Sequence, residues 1–269
     1  MSGVNKVILT GWLARDPYVR TLPSGVTVTN LSLVTTEVFR DRNTNQLRES
    51  SDYHQVACWR GLGEVASKYL HRGDPCFIEG KARTHSYDKD GVKRYSTEVV
   101  ADSLVLLGNR QAEGEPVAAE ENRGPVSGVN KVMLVGRLGR DPELRTMENG
   151  TTMLHFSLAT TEYYRDRDTK ERKEITEWHH VVFWRALADS ASRVLHKGEQ
   201  IYVEGKLRTR SWVKDNVTRY TTEVIGESFS VLGARREFGQ GAAPQMEEHP
   251  PVSEHPPAPT EQDTNNLPF

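Results

Sequence analysis

The stretch Ser2-Gly3-Val4-Asn5-Lys6-Val7 (SGVNKV) occurs twice in this chain of 269 residues, returning unchanged as Ser127–Val132. The two copies are therefore 125 positions apart. The same offset holds without a gap for about a hundred residues, as in Trp59-Arg60 and Trp184-Arg185. An uninterrupted offset over a whole folding unit indicates the tandem duplication of one domain rather than a solenoid of short repeats.

The duplication divides the chain into four predicted segments. Each copy is about 108 residues long, which is enough for a hydrophobic core of its own. The segment between the copies is rich in Ala, Glu and Gly, which is typical of a flexible spacer. The last segment holds seven of the thirteen prolines and neither Lys nor Arg, which predicts disorder. We predict domain one at 1–108, a flexible linker at 109–126, domain two at 127–236, and a disordered acidic tail at 237–269.

Charge and cysteine usage narrow the class of protein. Residues 1–108 carry 14 Lys and Arg against 12 Asp and Glu, and residues 127–236 carry 19 against 15. Two mildly basic domains are compatible with a polyanionic ligand. Cys58 and Cys76 have Phe183 and Ile201 as counterparts, which favours buried free thiols over a disulfide or a metal site. With no signal-type or membrane-spanning run in the sequence, we expect a cytoplasmic location.

Residue periodicity predicts five strands and one helix in each copy. Strands are indicated by apolar alternation and by richness in Val, Thr and Leu. The helix is indicated by apolar residues at i, i+3, i+4, i+7 and i+8 before a glycine stop. Polar residues 39–51 suggest a loop or the tip of a long hairpin, and residues 85–93 a loop. The predicted strands of copy one are Val4–Leu13, Val26–Thr36, Asp52–Arg60, Pro75–Thr84 and Tyr95–Leu107. The apolar positions of the helix are Leu62, Val65, Ala66, Tyr69 and Leu70, repeated as Leu187, Ala191, Val194 and Leu195.

The order of these elements predicts the fold. A small Greek-key barrel with one helix between its third and fourth strands has the oligonucleotide/oligosaccharide-binding (OB) architecture. The predicted fold class is therefore mainly β, with two tandem OB-fold five-stranded Greek-key barrels, each with one helix. A disordered, acidic, proline-rich C-terminal tail follows them.

The strand at 52–60 carries the most informative side chains. Alternation places Tyr53 and Trp59 on one face and His54 on the other, which is otherwise apolar and is expected to point into the barrel. Two large aromatics on an outward face, about 20 Å apart at ~3.3 Å per residue, cannot stack on each other but can hold separate bases. The alternative is that these aromatics have a purely structural role and fill the core.

Further aromatics recur beside cations, and their identity changes between copies while aromaticity persists. Aromatic platforms interleaved with Lys and Arg are what sequence-tolerant binding of single-stranded nucleic acid requires. The predicted aromatic set is Phe39, Tyr53, Trp59, Tyr87, Tyr164, Trp178, Trp184 and Trp212. The predicted basic set is Lys6, Arg20, Arg40, Arg42, Arg72, Arg83, Lys131, Arg145, Arg165, Arg167, Lys197, Arg208 and Arg210.

Motifs for catalysis are missing from the sequence. It contains no G-x-x-x-x-G-K-[ST], H-E-x-x-H, C-x-x-C or G-x-S-x-G motif. We therefore predict a protein that is not an enzyme and has no metal. Carboxylates that recur in both copies leave a two-metal nuclease site open as an alternative. These carboxylates are Asp16/Asp141, Glu79/Glu204 and Glu98/Glu223.

Each copy resembles the OB domain of bacterial single-stranded DNA-binding proteins, over about 2–108 and 127–233. The resemblance is carried by Gly3–Val7, Arg15-Asp16-Pro17, Trp178–Val182, Val203–Trp212 and Arg219–Val224. It implies that the predicted aromatic set stacks on DNA bases, that no cofactor is needed, and that the protein protects single strands in replication, repair and recombination. It further implies a nucleoid-associated protein with a functional unit of four OB folds, which two of these chains would supply as a homodimer.

The C-terminus resembles the tip through which members of this family dock partner enzymes. Leu267, Pro268 and Phe269 fit that tip, while Asn265 and Asn266 stand where acidic residues are usual. The resemblance therefore implies docking of replication and repair enzymes that is weaker or different in range.

Two further alternatives to single-stranded DNA binding use the same barrel. An RNA or mixed nucleic-acid chaperone would share the aromatic surface. A protein-interaction hub of the replication-restart kind would instead bury the aromatics in subunit contacts.

Overall fold

The computed structural model describes residues 3–41, 45–89, 92–108, 128–165, 169–214 and 217–233. The predicted linker at 109–126 and the predicted tail at 237–269 lie outside the described residues. The first copy contains β1 (Val4–Leu13), β2 (Tyr18–Thr21), β3 (Thr27–Arg40), β4 (Leu47–Trp59), α1 (Gly61–Tyr69), β5 (Pro75–Lys89) and β6 (Val92–Leu106). The second contains β7 (Val129–Leu138), β8 (Glu143–Thr146), β9 (Thr152–Arg165), β10 (Arg172–Trp184), α2 (Ala186–Ser192), β11 (Gln200–Lys214) and β12 (Val217–Leu232).

Strand pairing closes each copy into a barrel. In the first, β1 pairs antiparallel with both β3 and β5, β3 pairs with β4, and β5 pairs with β6. A short parallel contact between β4 and β6 completes the circuit. The second copy repeats these pairings through β7, β9, β10, β11 and β12. The prediction of a mainly β chain with two OB barrels is confirmed.

The cores of the two barrels are filled differently. In the second barrel the ring of Phe183 lies 5.2 Å from that of Phe156, edge to face, and 5.4 Å from that of Phe229. The counterpart of Phe183 is Cys58, a buried free thiol whose pKa burial raises to about 12. Cys76 is buried as well, so the prediction of two buried free thiols is confirmed.

Some predicted element bounds were wrong. Residues 39–51 were predicted as a loop or the tip of a long hairpin, and the hairpin is confirmed, because β3 and β4 pair from Val28–Trp59 to Arg40–Leu47. The loop predicted at 85–93 is too long, because β5 runs on to Lys89. These arms extend past the core, where neither face needs apolar residues. The short strands β2 and β8 were missed, and their exposed, mostly polar sequences carry no alternation. On the predicted helix, Ala66 and Leu70 are buried but Val65 and Tyr69 are exposed.

The two barrels are joined by an antiparallel ladder between their first strands. Val7 of β1 faces Val132 of β7, its own counterpart in the repeat. On either side the register runs from Val4–Val135 to Thr10–Val129, so each end of the ladder mirrors the other. The amide of Gly3 donates to the carbonyl of Thr161 across the interface. The barrels are therefore related by a pseudo-twofold axis, and all strands belong to one sheet.

Matched ion pairs cross the same interface. Lys81 Nζ lies 3.0 Å from Glu162 Oε2, and the counterpart pair is Lys206 Nζ with Glu37 Oε2 at 2.7 Å. Burial lowers the pKa of Lys206, but hydrogen bonds to Glu37 and Glu227 outweigh burial and raise it overall. The charges on the paired strands therefore repeat the pseudo-twofold symmetry of the backbone.

A second set of matched pairs uses two predicted phosphate ligands. Arg83 contacts Glu177 of the other barrel at 3.1 Å, and its counterpart Arg208 contacts Asp52 at 3.0 Å. Arg83 also reaches Glu162 at 3.1 Å. In this structure both arginines serve the contact between the barrels.

Candidate nucleic-acid interface

The inward face of β4 and β10 anchors the strands that carry the predicted aromatics. His54 and His179 are buried, as alternation predicted, and their Nε2 atoms lie 2.9 Å and 2.8 Å from the hydroxyls of Thr35 and Thr160. Burial lowers the pKa of His54 to about 4. Burial, with help from His180 and Arg83, lowers the pKa of His179 to about 3. Both imidazoles are therefore neutral at pH 7 and act as structural hydrogen-bond partners.

The opposite face carries the aromatic pairs. Tyr53 is 40% exposed, and Trp59, Trp178 and Trp184 are half-buried. Ala57, between Tyr53 and Trp59, is buried although alternation placed it outward. At Ala57 the strand pairs on both sides, with β3 and with β6, whereas at Tyr53 it pairs with β3 alone. The two aromatic positions thus lie beyond either end of the narrow doubly paired part of the strand.

The hairpins carry a second aromatic position. Phe39, 44% exposed, lies opposite Arg48 on the β3–β4 hairpin, and Tyr164, 45% exposed, lies opposite Lys173 on the β9–β10 hairpin. Register places Phe39 on the opposite face of its hairpin from Tyr53. Each exposed hairpin ring therefore has a cation across the ladder.

Sequence reasoning did not select Arg48, Lys173 or the pair formed by Tyr163 and Arg172. The guanidinium of Arg172 lies 4.0 Å from the ring centre of Tyr163. The signal that could have found these residues is the pairing register of the long hairpin, which becomes visible once residues 39–51 are read as two strands.

Trp184 has an arginine side chain beside its ring. The guanidinium of Arg210 lies 5.7 Å from the ring centre of Trp184 and 3.6 Å from Glu223 Oε2. Burial raises the pKa of Glu223, and Arg210 offsets only part of that rise. In the first barrel the counterpart of Arg210 is His85. The second barrel thus presents a tryptophan with a guanidinium held beside it.

Several predicted basic residues form ion pairs with carboxylates within their own barrel. Lys6 pairs with Glu79 and its counterpart Lys131 with Glu204. Arg145 lies 3.2 Å from Glu143. Together with Arg83, Arg208 and Arg210, these residues already have anionic partners. The predicted basic residues exposed at the surface are Arg20, Arg40, Arg72, Arg165 and Lys197, together with the ion-paired Arg145.

The remaining predicted site residues lie wholly or partly outside the described part of the chain. Tyr87 and Trp212 belong to β5 and β11 by their backbone, but their side chains lie outside the described part of the chain. The predicted ligands Arg42 and Arg167 and the predicted docking tip Leu267, Pro268 and Phe269 also fall outside the described residues.

The recurring carboxylates are dispersed. Asp16 accepts a hydrogen bond from the backbone amide of Arg72 at 2.8 Å, whereas Glu79 pairs with Lys6 and Glu98 lies 4.0 Å from His85. Among the residues that the structure describes, no three His, Cys, Asp or Glu side chains are grouped to hold a metal ion. Neither helix in the described ranges is long and apolar enough to cross a membrane.

Comparison with known proteins gives the family. The model of the single-strand binding protein family matches residues 4–107 and again 129–232. The chain belongs to the single-strand binding protein family.

Two solved structures of the single-stranded DNA binding protein from Thermus aquaticus are similar over nearly the whole length. A deletion variant has 28% identity and a TM-score of 0.66, covering 91% of this chain and 99% of its own. The wild-type protein has 28% identity and a TM-score of 0.65, covering 90% and 98%.

Proposed function

We propose that this protein binds single-stranded DNA largely without regard to sequence, and so protects it in replication, repair and recombination. The observation that carries the proposal is the repetition of the aromatic surface. In both barrels a half-exposed ring stands at the position of Tyr53 and Trp178, and an exposed ring beside a cation stands at the position of Phe39 and Tyr164. Every base has a π-face, so stacking on such rings tolerates any sequence.

The structure changes which cations we assign to the phosphates. Ion-paired arginines such as Arg83 and Arg208 would have to leave carboxylates of the other barrel to reach DNA. We therefore assign phosphate contacts to Arg20, Arg40, Arg72, Arg165 and Lys197, with Arg48 and Lys173 added beside the hairpin rings. To reach DNA, Arg48 would leave the carboxylate of Asp41, which lies 3.0 Å away on the same hairpin. Because few cations take part, we expect binding to weaken with salt by a moderate slope.

The first prediction tests stacking. Replacing Trp178 and Trp184 together by Ala should weaken binding to fluorescein-labelled oligo-dT by several kcal/mol, since stacking contributes ~1–3 kcal/mol per base. Affinity is measured by fluorescence anisotropy at fixed salt. Tyr69→Ala is the matched control, because Tyr69 is an exposed aromatic on α1 outside the predicted set.

Unchanged affinity in the double variant, with the melting temperature preserved, would remove the stacking mechanism. Competition between matched DNA and RNA oligomers in the same assay separates a DNA-binding protein from an RNA chaperone. A protein-interaction hub predicts no anisotropy change with either oligomer.

We also propose how the protein assembles and how its C-terminal tip recruits partners. A homodimer would bring together four OB barrels, and the tip Leu267-Pro268-Phe269 would recruit replication and repair enzymes at the nucleoid. Family membership supports both proposals. Sedimentation equilibrium of the full chain tests the dimer, and deletion of the last three residues tests recruitment.

A further inference from the structure

Trp178 rests on a position where the second barrel has no side chain. A Cβ built on Gly139 would lie 2.4 Å from Cζ3 and 2.8 Å from Cη2 of the Trp178 ring. Real Cβ atoms do not approach so closely, so the ring occupies the space that any other residue would fill. The glycine is not required by the backbone, because its φ lies outside the left-handed region.

The backbone cannot easily retreat to accommodate a larger residue there. The amide of Gly139 donates to the carbonyl of Ser157 on β9 at 3.1 Å. In the first barrel the counterpart Ala14 donates to Ser32 at 2.9 Å. The same hydrogen bond thus holds the same backbone in both barrels, and alanine is tolerated at that position in one of them.

A second neighbour of the ring is also reduced in size. Trp178 faces Ala159 across the β9–β10 ladder, and Ala159 is buried. In the first barrel the counterpart of Ala159 is Val34, which faces Tyr53. The larger aromatic is therefore combined with Gly and Ala, and the smaller aromatic with Ala and Val.

We propose that Gly139 and Ala159 form a seat that holds the Trp178 ring ready for an unpaired base, and that this seat makes the second barrel the tighter base platform. The proposal rests on the function proposed above and assigns both residues a positioning role. A ring fixed against backbone loses less freedom when a base stacks on it than a ring that must first be ordered. The first barrel has the larger residues Ala14 and Val34 at the two seat positions, and the smaller ring of Tyr53 at the aromatic position.

The test compares six full-length variants for affinity to labelled oligo-dT and for melting temperature. They are Trp178→Ala, Gly139→Ala with Ala159→Val, Trp178→Tyr, and Trp178→Tyr combined with Gly139→Ala, with Ala159→Val or with both. We expect Trp178→Ala to weaken binding about tenfold or more, and the filled seat to weaken it about five- to tenfold. In the Trp178→Tyr background, the seat substitutions should change affinity by less than about twofold. The variant with all three substitutions recreates the combination found in the first barrel.

Each other outcome overturns a definite claim. If the filled seat leaves affinity unchanged while Trp178→Ala weakens it, the ring needs no seat. If the filled seat weakens binding equally in the Trp178→Tyr background, it acts through something other than the indole. If Trp178→Ala leaves affinity unchanged, the proposed function itself fails at this position, whatever the seat does.

Discussion

At the scale of single residues, the two buried histidines make stability depend on pH. Their pKa values in the folded protein, about 4 for His54 and about 3 for His179, lie below the ordinary value of 6.5. The unfolded chain therefore binds protons that the folded chain does not, and the free energy of unfolding falls as the pH decreases below 6.5. For His54 the loss continues until the pH reaches about 4, where the folded protein also takes up the proton.

We predict a loss of about 3 kcal/mol between pH 6.5 and 5 from the two histidines together, at roughly 1.4 kcal/mol per pH unit for each fully titrating group. Urea unfolding at a series of pH values measures it. Replacing His54 and His179 by Asn should flatten the slope, because the two buried imidazoles that cause it are removed. A slope that persists in the double variant would assign the pH dependence to other groups.

Residue identities in the sequence predicted some of these positions and not others. Alternation along residues 52–60 placed His54 and Cys58 inside the barrel, as the structure does. It could not show that Trp178 lies against Gly139, because that contact joins residues 39 positions apart and depends on the twist of three strands. The clue was present only as a difference between copies, with glycine at 139 and alanine at 14.

At the scale of elements, ion pairs between strands of opposite barrels help to hold the two halves together. Arg83 and Arg208 stand on β5 and β11 and reach carboxylates on β10 and β4 of the opposite barrel. The carboxylates Glu177 and Asp52 are largely shielded from water, at 14% side-chain exposure each. We expect such pairs to contribute more than a fully exposed pair, though still about 1 kcal/mol.

A double-mutant cycle checks this expectation. Arg208→Met and Asp52→Asn, singly and together, should give a coupling energy of about 1 kcal/mol in thermal or urea unfolding. The exposed pair Arg145 and Glu143 is the matched control, and its coupling energy should be only about a few tenths of a kcal/mol. At 1 M salt, where the Debye length is about 3 Å, both couplings should shrink. Equal couplings for the two pairs would contradict a structural role for the cross-barrel arginines.

Sequence patterns predicted elements well where one face is buried and poorly where neither is. The bounds of β1, Val4–Leu13, agree with the prediction, and buried positions alternate with more exposed ones along the whole strand. The hairpin arms beyond Thr36 have polar or exposed residues on both faces, so periodicity gave no signal. The ladder between β1 and β7 was not predicted, because the sequence of a strand does not identify which other strand will pair with its free edge.

At the scale of the whole molecule, the pseudo-twofold contact predicts that the two halves stay together without the segment that links them. The ladder from Val4–Val135 to Thr10–Val129 and the matched ion pairs belong to the barrels themselves. We therefore expect the predicted linker at 109–126 to serve mainly to keep the local concentration of the halves high.

Cutting the chain tests this prediction. A protease recognition site placed within 109–126 and cleaved to completion should leave both fragments eluting together in gel filtration at micromolar concentration. After the same cut in a variant with Arg83→Met and Arg208→Met, we expect the fragments to separate more readily on dilution, because three cross-barrel ion pairs are gone. Fragments of the parent chain that elute separately would show that the interface depends on the covalent connection.

The facing of Val7 and Val132 has a consequence for how such a chain evolves. In a symmetric pair of identical subunits, a substitution near the axis appears on both sides of the contact and must be compatible with itself. Within one polypeptide the two sides are encoded separately, so each is free to specialise. The two halves already differ at such positions, with Trp12 matched by Arg137 and Asp52 by Glu177, so that one half can acquire a new chemistry while the other preserves the old.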